Sequence, residues 1–299
     1  MAAELDQRLL DEVVALLRGR RIVALSGAGM STDSGIPDYR SAGAPVRQPM
    51  TYQELVSGAD AQRRYWARAH LGWASMGSAR PNDGHRALAT LERGGVLTGL
   101  ITQNVDGLHE RAGSRRLVDL HGRIADVVCL DCGAHSGRAA LQRRMEELNP
   151  DWSARASAGP ALRPDGDVEI DDTEAYVLTA CECCGGRLKP DVVFFGENVP
   201  KQRVARSTEM VAAADVLLVA GSSLTVMSGL RFVRQAAKAQ IPVVIVNRGV
   251  TRGDDLATIK LDAGCTPTLS ALAQRLPAQV CAGSSGRAPE GSVHAASQR

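Results

Sequence analysis

Apolar residues follow two rhythms along this chain. Leu9, Leu10, Val13, Val14 and Leu17 recur at the spacing of one helical face, and Gly19 supplies the stop. The next run, Ile22-Val23-Ala24-Leu25, is apolar without a break, as expected of a strand buried on both faces. Four further runs of this kind follow, over Val96 to Ile101, Leu117 to Leu120, Val216 to Ala220 and Val243 to Val246. Helical segments are predicted between them at His85 to Arg93 (closed by Gly94-Gly95), Arg203 to Ala214 and Gly229 to Lys238. Apolar strands alternating with helices predict an α/β fold, with a parallel, doubly wound sheet of Rossmann type.

Each apolar run ends on polar residues. They are Ser26-Gly27-Ala28-Gly29, then Gln103-Asn104-Val105-Asp106, His121-Gly122, Gly221-Ser222-Ser223 and Asn247. Open α/β sheets bind ligands outside the carboxyl ends of their strands. Five such ends on one sheet edge would make one continuous polar crevice. Turn chemistry accounts for any single one of them, since Gly, Asn and Asp favour turns, but less well for all five.

Two stretches break the rhythm. Residues 41–81 carry Tyr52, Tyr65, Trp66 and Trp73 and read as a helical insertion. Residues 125–188 hold Cys129-Leu-Asp-Cys132 and Cys181-Glu-Cys-Cys184, each pair followed at once by glycine. Four thiolates in two such pairs suit a closed tetrahedral zinc site, which holds a fold together and leaves no open position for a reactant. Cys183 competes for the second pair, and the two-residue gap favours Cys181 with Cys184. The 48 residues between Cys132 and Cys181 exceed the spacing of compact zinc motifs and must loop out. The expected division is therefore 1–40, 82–124 and 189–280 for the nucleotide-type domain, 41–81 for the helical insertion and 125–188 for the zinc module. Residues 281–299, rich in Gly, Ser and Ala, read as a disordered tail.

Composition narrows the functional classes. A net charge of +2 over 299 residues is too balanced for a stripe that neutralises many phosphates, so direct nucleic-acid binding is not expected. No apolar stretch approaches the ~18 residues of a membrane span. Seven cysteines, an odd number, do not suggest a secreted disulfide framework. Glu4, Asp6, Asp11 and Glu12 are unlike a signal or transit peptide. A reducing, cytoplasmic location is expected.

The string Gly27-Ala-Gly-Met-Ser-Thr-Asp-Ser-Gly-Ile-Pro-Asp-Tyr-Arg40 is more specific than a GxG turn. Thr32 replaces the third glycine of a dinucleotide fingerprint, and Pro37 forces Ile36 out of the helical region, so a loop replaces the usual helix. This string resembles the signature of the sirtuins, NAD-dependent protein deacylases. The resemblance continues through Thr102-Gln-Asn-Val-Asp-Gly-Leu-His-Glu-Arg-Ala-Gly113, His121-Gly122, the cysteine pairs, Val193-Phe-Phe-Gly-Glu197, Gly221-Ser-Ser-Leu224 and Val246-Asn247, over roughly residues 10–275. Tyr39, Ser222 and Ser228, where other branches often carry Phe, Thr and Pro, are similar to the class II branch, as are Tyr65-Trp66-Ala67-Arg68 and Gly72-Trp73.

The resemblance implies roles for these residues. Gly27, Ala28, Gly29 and Ser31 would line the diphosphate loop, with Asp38, Tyr39 and Arg40 in its continuation, where Arg40 adds a fork of donors. Gly221, Ser222 and Ser223 would close the phosphate side, Asn247 would bind the adenine-side ribose, and Cys265 would lie against the adenine. Gln103 would contact the other ribose, with Asn104 and Asp106 orienting it and the carboxamide. His121 is the expected general base, since a neutral imidazole accepts a proton near physiological pH. It would act after the acyl-lysine oxygen attacks C1′ and expels nicotinamide, leading to free lysine and O-acyl-ADP-ribose. Val193, Phe195 and Gly196 would form the edge that receives an acylated-lysine peptide, unless the segment is simply a core strand. Tyr65 and Arg68 share a helical face and would read an acidic acyl group, or else pack and solvate. His70, His85, His135 and His294 read as structural, and His109 as a contact of its own helix. Protein mono-ADP-ribosylation, NAD sensing without catalysis and hydride transfer remain the alternatives to deacylation.

Overall fold

The computed structural model describes residues 6–38, 49–154, 170 and 172–278. Tyr39, Arg40, the start of the helical insertion, most of the acidic stretch from Asp165 to Asp172, Cys281 and the expected tail lie outside the described residues.

The chain opens with α1 (Gln7–Leu17), capped by the Asp6 carboxylate, which accepts from the N–H groups of Arg8 and Leu9. Strand β1 (Ile22–Ser26) follows. After the insertion, with α2 (Tyr52–Leu55) and α3 (Ala59–Ser78), the sheet resumes through α4 (Asp83–Arg93), β2 (Leu97–Thr102), α5 (Leu108–Arg111) and β3 (Leu117–Asp119). The second excursion contributes β4 (Gly122–Cys129), β5 (His135–Gly137), α6 (Arg138–Leu148) and β6 (Leu188–Val192). The chain then completes the sheet with α7 (Lys201–Ala212), β7 (Val216–Ala220), α8 (Met227–Lys238), β8 (Val243–Val246), β9 (Ile259–Leu261) and α9 (Cys265–Arg275).

The larger sheet has six strands in the order β3-β2-β1-β7-β8-β9, and every pairing in it is parallel. This confirms the doubly wound fold and adds β9, whose Ile-Lys-Leu is too short to stand out in the pattern. Side-chain alternation divides the core in two. Ile22 and Ala24 face a layer with Leu10, Leu17, Leu88 and Leu269 from α1, α4 and α9. Val23 and Leu25 face another, with Val211, Leu230, Phe232 and Val233 from α7 and α8. Strand order reverses between β1 and β7. The crevice of such a sheet opens there, because successive crossovers leave to opposite faces.

A second, antiparallel sheet (β5-β4-β6) belongs to the inserted module. Its core gathers Tyr65, Trp66, Trp152, Tyr176, Val127 and Cys181. Arg138 is buried within it, its guanidinium 5.5 Å from the ring of Trp66 and 4.9 Å from that of Trp73. None of these three short strands was legible in the sequence, where glycine and charge interrupt the periodicity.

Three histidines are buried and held neutral. Burial pushes His70 and His85 down to about 4 from 6.5, and His109 well below its ordinary range. The unfolded chain therefore binds more protons than the folded one as pH falls from about 6.5 towards 4, so stability is lost through that window. For His85 alone the loss at pH 5 is about 2 kcal/mol. The urea midpoint is expected to be lower at pH 5 than at pH 7. Equal midpoints would contradict the buried neutral state.

Candidate active site

The loop after β1 meets the loop after β7 across the switch point. Gly27 N–H donates to Ala220 O at 3.1 Å, and Gly29 N–H to Gly221 O at 2.8 Å. A Cβ on Gly27 would lie 2.8 Å from Ser222 Cβ, and one on Gly29 would lie 3.1 Å from Gly221 Cα. These glycines thus have an architectural reason that the sequence did not reveal: they let two phosphate-type loops touch each other. Among the described residues no protein acceptor takes the N–H of Ala28, Ser222 or Ser223. These donors flank the crevice and suit the oxygens of a diphosphate, so the site fits a dinucleotide. Leu224, next in the loop, sits in the left-handed region at φ 55°, a cost that rigid loops at ligand sites tolerate.

Residues after β2 are tied into the same place. Asn104 Nδ2 donates to Gly27 O and to Ser31 Oγ, both at 3.0 Å. Ser31 Oγ donates to Asp106 Oδ2 at 2.7 Å, and Asp106 Oδ1 accepts from Leu108 N–H at 2.8 Å. Burial pushes the Asp106 carboxyl upward, while the bonds from Leu108 and Ser31 hold it back. Gln103 Nε2 donates to Ser222 Oγ at 2.8 Å, bridging the β2 and β7 loops. Asn247 follows β8 and is buried, its Nδ2 donating to Arg248 O at 2.7 Å. Cys265 is buried at the start of α9 beside Gly221, and burial pushes its thiol up to about 12, so it is a neutral packing group.

His121 stands between β3 and β4. Its Nδ1 lies 2.9 Å from the Gln103 carbonyl and its Nε2 2.8 Å from Ser228 Oγ. Burial lowers its affinity for a proton, the Gln103 carbonyl opposes that, and the charge of Arg203 lowers it again. Its position depends on Gly122, which has φ 81° and whose missing side chain leaves room for the Asp191 carbonyl of β6. Val193 N–H donates back to His121 O at 2.8 Å. Gly122→Ala should therefore cost at least ~1–2 kcal/mol for the left-handed backbone alone and reduce turnover by displacing His121. A variant with the parent's urea midpoint and rate would refute this.

The apolar segment expected as a strand is different in detail. Strand β6 ends at Val192, and residues 193–197 form a turn in which Glu197 N–H donates to Phe194 O. Phe195 O accepts from Tyr52 N–H at 2.9 Å, and Gly196 O from Gln53 Nε2 at 3.3 Å. The α2 region is thereby stitched to this turn, while the Phe195 ring is 43% exposed. Tyr65 is buried edge-on against Phe194 and Trp66, with centroids at 5.4 and 5.2 Å. Arg68, on the same helix, is half-buried and donates to Ile170 O at 3.4 Å.

The cysteines converge as the spacing predicts. Cys129, Cys132, Cys181 and Cys184 place their sulfurs within 4.8 Å of one another, with Cys129–Cys184 at 3.6 Å and Cys132–Cys181 at 3.8 Å. Zinc–sulfur bonds of ~2.3 Å in a tetrahedron set sulfurs ~3.8 Å apart, so the cluster fits one structural zinc. Cys183 is exposed and outside the cluster.

Sequence reasoning missed several supporting residues. Asn82 caps α4 and reaches Met30 O (2.9 Å) and Ser34 Oγ (3.0 Å) of the β1 loop. Ser26 and Thr102 share a hydrogen bond of 2.9 Å, and Ser26 Oγ lies 2.8 Å from His109 Nε2. His109 therefore joins the core beneath the loops instead of merely contacting its own helix. An Asn-x-x-His at the start of α4 was the one available signal for Asn82.

Known proteins place this geometry in context. A "NAD-dependent protein deacetylase 1" of Mycobacterium avium is 54% identical over 267 residues, covering 89% of this chain and 95% of that protein. Its namesake in Streptomyces coelicolor is 54% identical over 275 residues, covering 91% of each. A solved structure described as "Sir2-p53 peptide-NAD+" aligns with a TM-score of 0.70 at 29% identity, covering 89% of this chain and 97% of that one. The Sir2 family profile matches residues 27–228. The profile match and the identity to these relatives show that the chain belongs to the Sir2 family.

Proposed function

We propose that the protein is an NAD-dependent protein lysine deacylase that acts on acetylated lysine and releases nicotinamide, O-acetyl-ADP-ribose and free lysine. The observation that carries this reading is the half-buried imidazole of His121, anchored on the Gln103 carbonyl at the β1–β7 switch point. A pure NAD binder has no use for a base there. The relatives named as deacetylases support the same reading.

NAD, when bound, supplies the electrophilic C1′ and the nicotinamide leaving group. Ala28, Ser222 and Ser223 would hold the diphosphate through backbone N–H groups, with Gly27, Gly29 and Gly221 keeping that loop pair close. Asn104, Ser31 and Asp106 act as one hydrogen-bonded unit that orients the nicotinamide half, and Gln103 fixes the neighbouring ribose. Asp38, Tyr39 and Arg40 continue the same stretch of sequence, where the Arg40 guanidinium would add donors to the cofactor. Asn247 and Cys265 would border the adenosine end. His121 would accept the ribose hydroxyl proton at its lone-pair nitrogen. The four thiolates hold the small sheet, and so the edge at Val193, Phe195 and Gly196 where the peptide would dock. Acetyl is the acyl group proposed, because Tyr65 is packed among aromatic rings and Arg68 is engaged with the Ile170 carbonyl. A cytoplasmic location is part of this proposal, and among the described residues no helix is long and apolar enough to cross a membrane.

The test is mass spectrometry of NAD products with acetyl-, succinyl- and longer acyl-lysine peptides. Nicotinamide and O-acetyl-ADP-ribose in equal amounts are expected, whereas ADP-ribose retained on protein would favour transferase chemistry. The pH profile adds a second check. Burial depresses His121 below 6.5, and the base works only when neutral. Activity should therefore persist below pH 6.5 and fall only as pH drops through the depressed value. An acidic limb above 6.5 would contradict this assignment.

A further inference from the structure

Ser228 has no part in the machinery described so far. It is the second residue of α8, and its Oγ lies 2.8 Å from His121 Nε2. The atoms fix the direction of this bond. A backbone carbonyl can only accept, so Nδ1, 2.9 Å from Gln103 O, carries the hydrogen of the neutral ring. Nε2 then has the lone pair, and the Ser228 hydroxyl must donate to it.

We propose that Ser228 is a positioning residue for the base: its hydroxyl donates to Nε2 of neutral His121 and turns to accept from Nε2 once that nitrogen has taken the substrate proton. The inference rests on the deacylase reading. No atom is lost in the exchange. Nε2 has one lone pair, so the Ser228 O–H first rotates off it. The proton then moves from a ribose hydroxyl to Nε2, the ribose oxygen keeps the electron pair, and Ser228 stays neutral as its oxygen accepts from the new N–H. A group able to serve both states holds the half-buried ring in one orientation throughout.

The architecture keeps Ser228 in place. Gly229, the next residue, packs against Gln103, and a Cβ there would lie 2.5 Å from Gln103 Oε1. The residue whose carbonyl holds Nδ1 thus abuts the helix start whose hydroxyl holds Nε2. The charge that acts on the ring is that of Arg203 of α7, ion-paired with Asp191 of β6 at 3.2 Å, and Asp119 at the end of β3 lines a neighbouring cavity together with Arg203 and Asp191. Asp106 lies after β2. Substitution of Ser228 alters none of these charges.

The bond to imidazolium is charge-assisted and stronger than the bond to the neutral ring. Removing the hydroxyl should therefore lower the proton affinity of His121. Ser228→Ala and Ser228→Pro both remove it, and proline is tolerated in the first turn of a helix. The experiment is a titration of the His121 ring by nitrogen-15 NMR on the full chain, with its signals assigned by their loss in His121→Asn. The expected results are the Nδ1–H tautomer in the parent, a titration midpoint lower by half a pH unit or more in both variants, and recovery in Ser228→Thr. The acidic limb of kcat/KM for acetyl-peptide should move down with it, with kcat reduced about 10-fold and little change in KM. A parent ring protonated on Nε2, or an unchanged midpoint in folded Ser228→Ala and Ser228→Pro, would overturn the proposal. Because the titration needs no turnover, its outcome is independent of failure to release nicotinamide, which would count against deacylation itself.

Discussion

His121→Ala is expected to slow formation of O-acetyl-ADP-ribose and free lysine from NAD and an acetylated peptide by ~10²–10⁴-fold, the usual contribution of a positioned acid or base. NAD binding should survive. The ring bonds to a carbonyl of the β2 loop and a hydroxyl of α8, while the groups suited to the diphosphate lie on the β1 and β7 loops. The fold should survive as well, because the bond from Val193 N–H reaches the His121 backbone carbonyl, which alanine retains. Isothermal titration with NAD alongside an assay of O-acetyl-ADP-ribose formation separates these effects. Turnover within a few-fold of the parent would remove His121 from the chemistry. Loss of NAD affinity would instead make it a binding residue.

Cys129→Ser or Cys184→Ser should have the largest effect on stability. Structural zinc contributes ~10–16 kcal/mol in isolated finger peptides, comparable to the whole stability of a typical domain at ~5–15 kcal/mol. Cys129 ends β4 and pairs in register with Leu188 of β6. The ion therefore clamps the same two strands that hold Gly122 opposite Val192, next to His121. Metal analysis should show loss of one zinc per chain. Hydrogen exchange should show lost protection over 122–129 and 188–192, and activity should collapse although no thiolate touches the crevice. A metal-free variant with both strands protected and full turnover would refute the structural role.

Much of the larger sheet was legible because a doubly wound strand is buried on both faces and must be apolar throughout. Val216 to Ala220 and Val243 to Val246 could scarcely be anything else, and both are strands fully buried along their length. The cysteine pairs were legible because tetrahedral coordination fixes both ligand type and spacing. Strands β4 and β5 were not. Strand β4 is half-buried and β5 is exposed along its length, and both lean on the thiolate cluster, so little in their local pattern marks them. The turn over 193–197 was also hidden, because its geometry depends on Glu197 Oε2 accepting from Phe194 N–H and Lys189 Nζ, and on α2.

What the sequence determined by itself is the chemistry available: an imidazole, an Asn-x-Asp, glycine loops and four thiols, each placed by an apolar strand or a short turn. Only the tertiary structure decided which nitrogen of His121 carries its hydrogen, and which hydroxyl faces the other. Residues 103, 121 and 228 are far apart along the chain, and the sheet crossovers that bring a carbonyl, a ring and a hydroxyl together leave no trace in local periodicity. Hydrogen-bond direction is a property of partners, and partners are chosen by the fold.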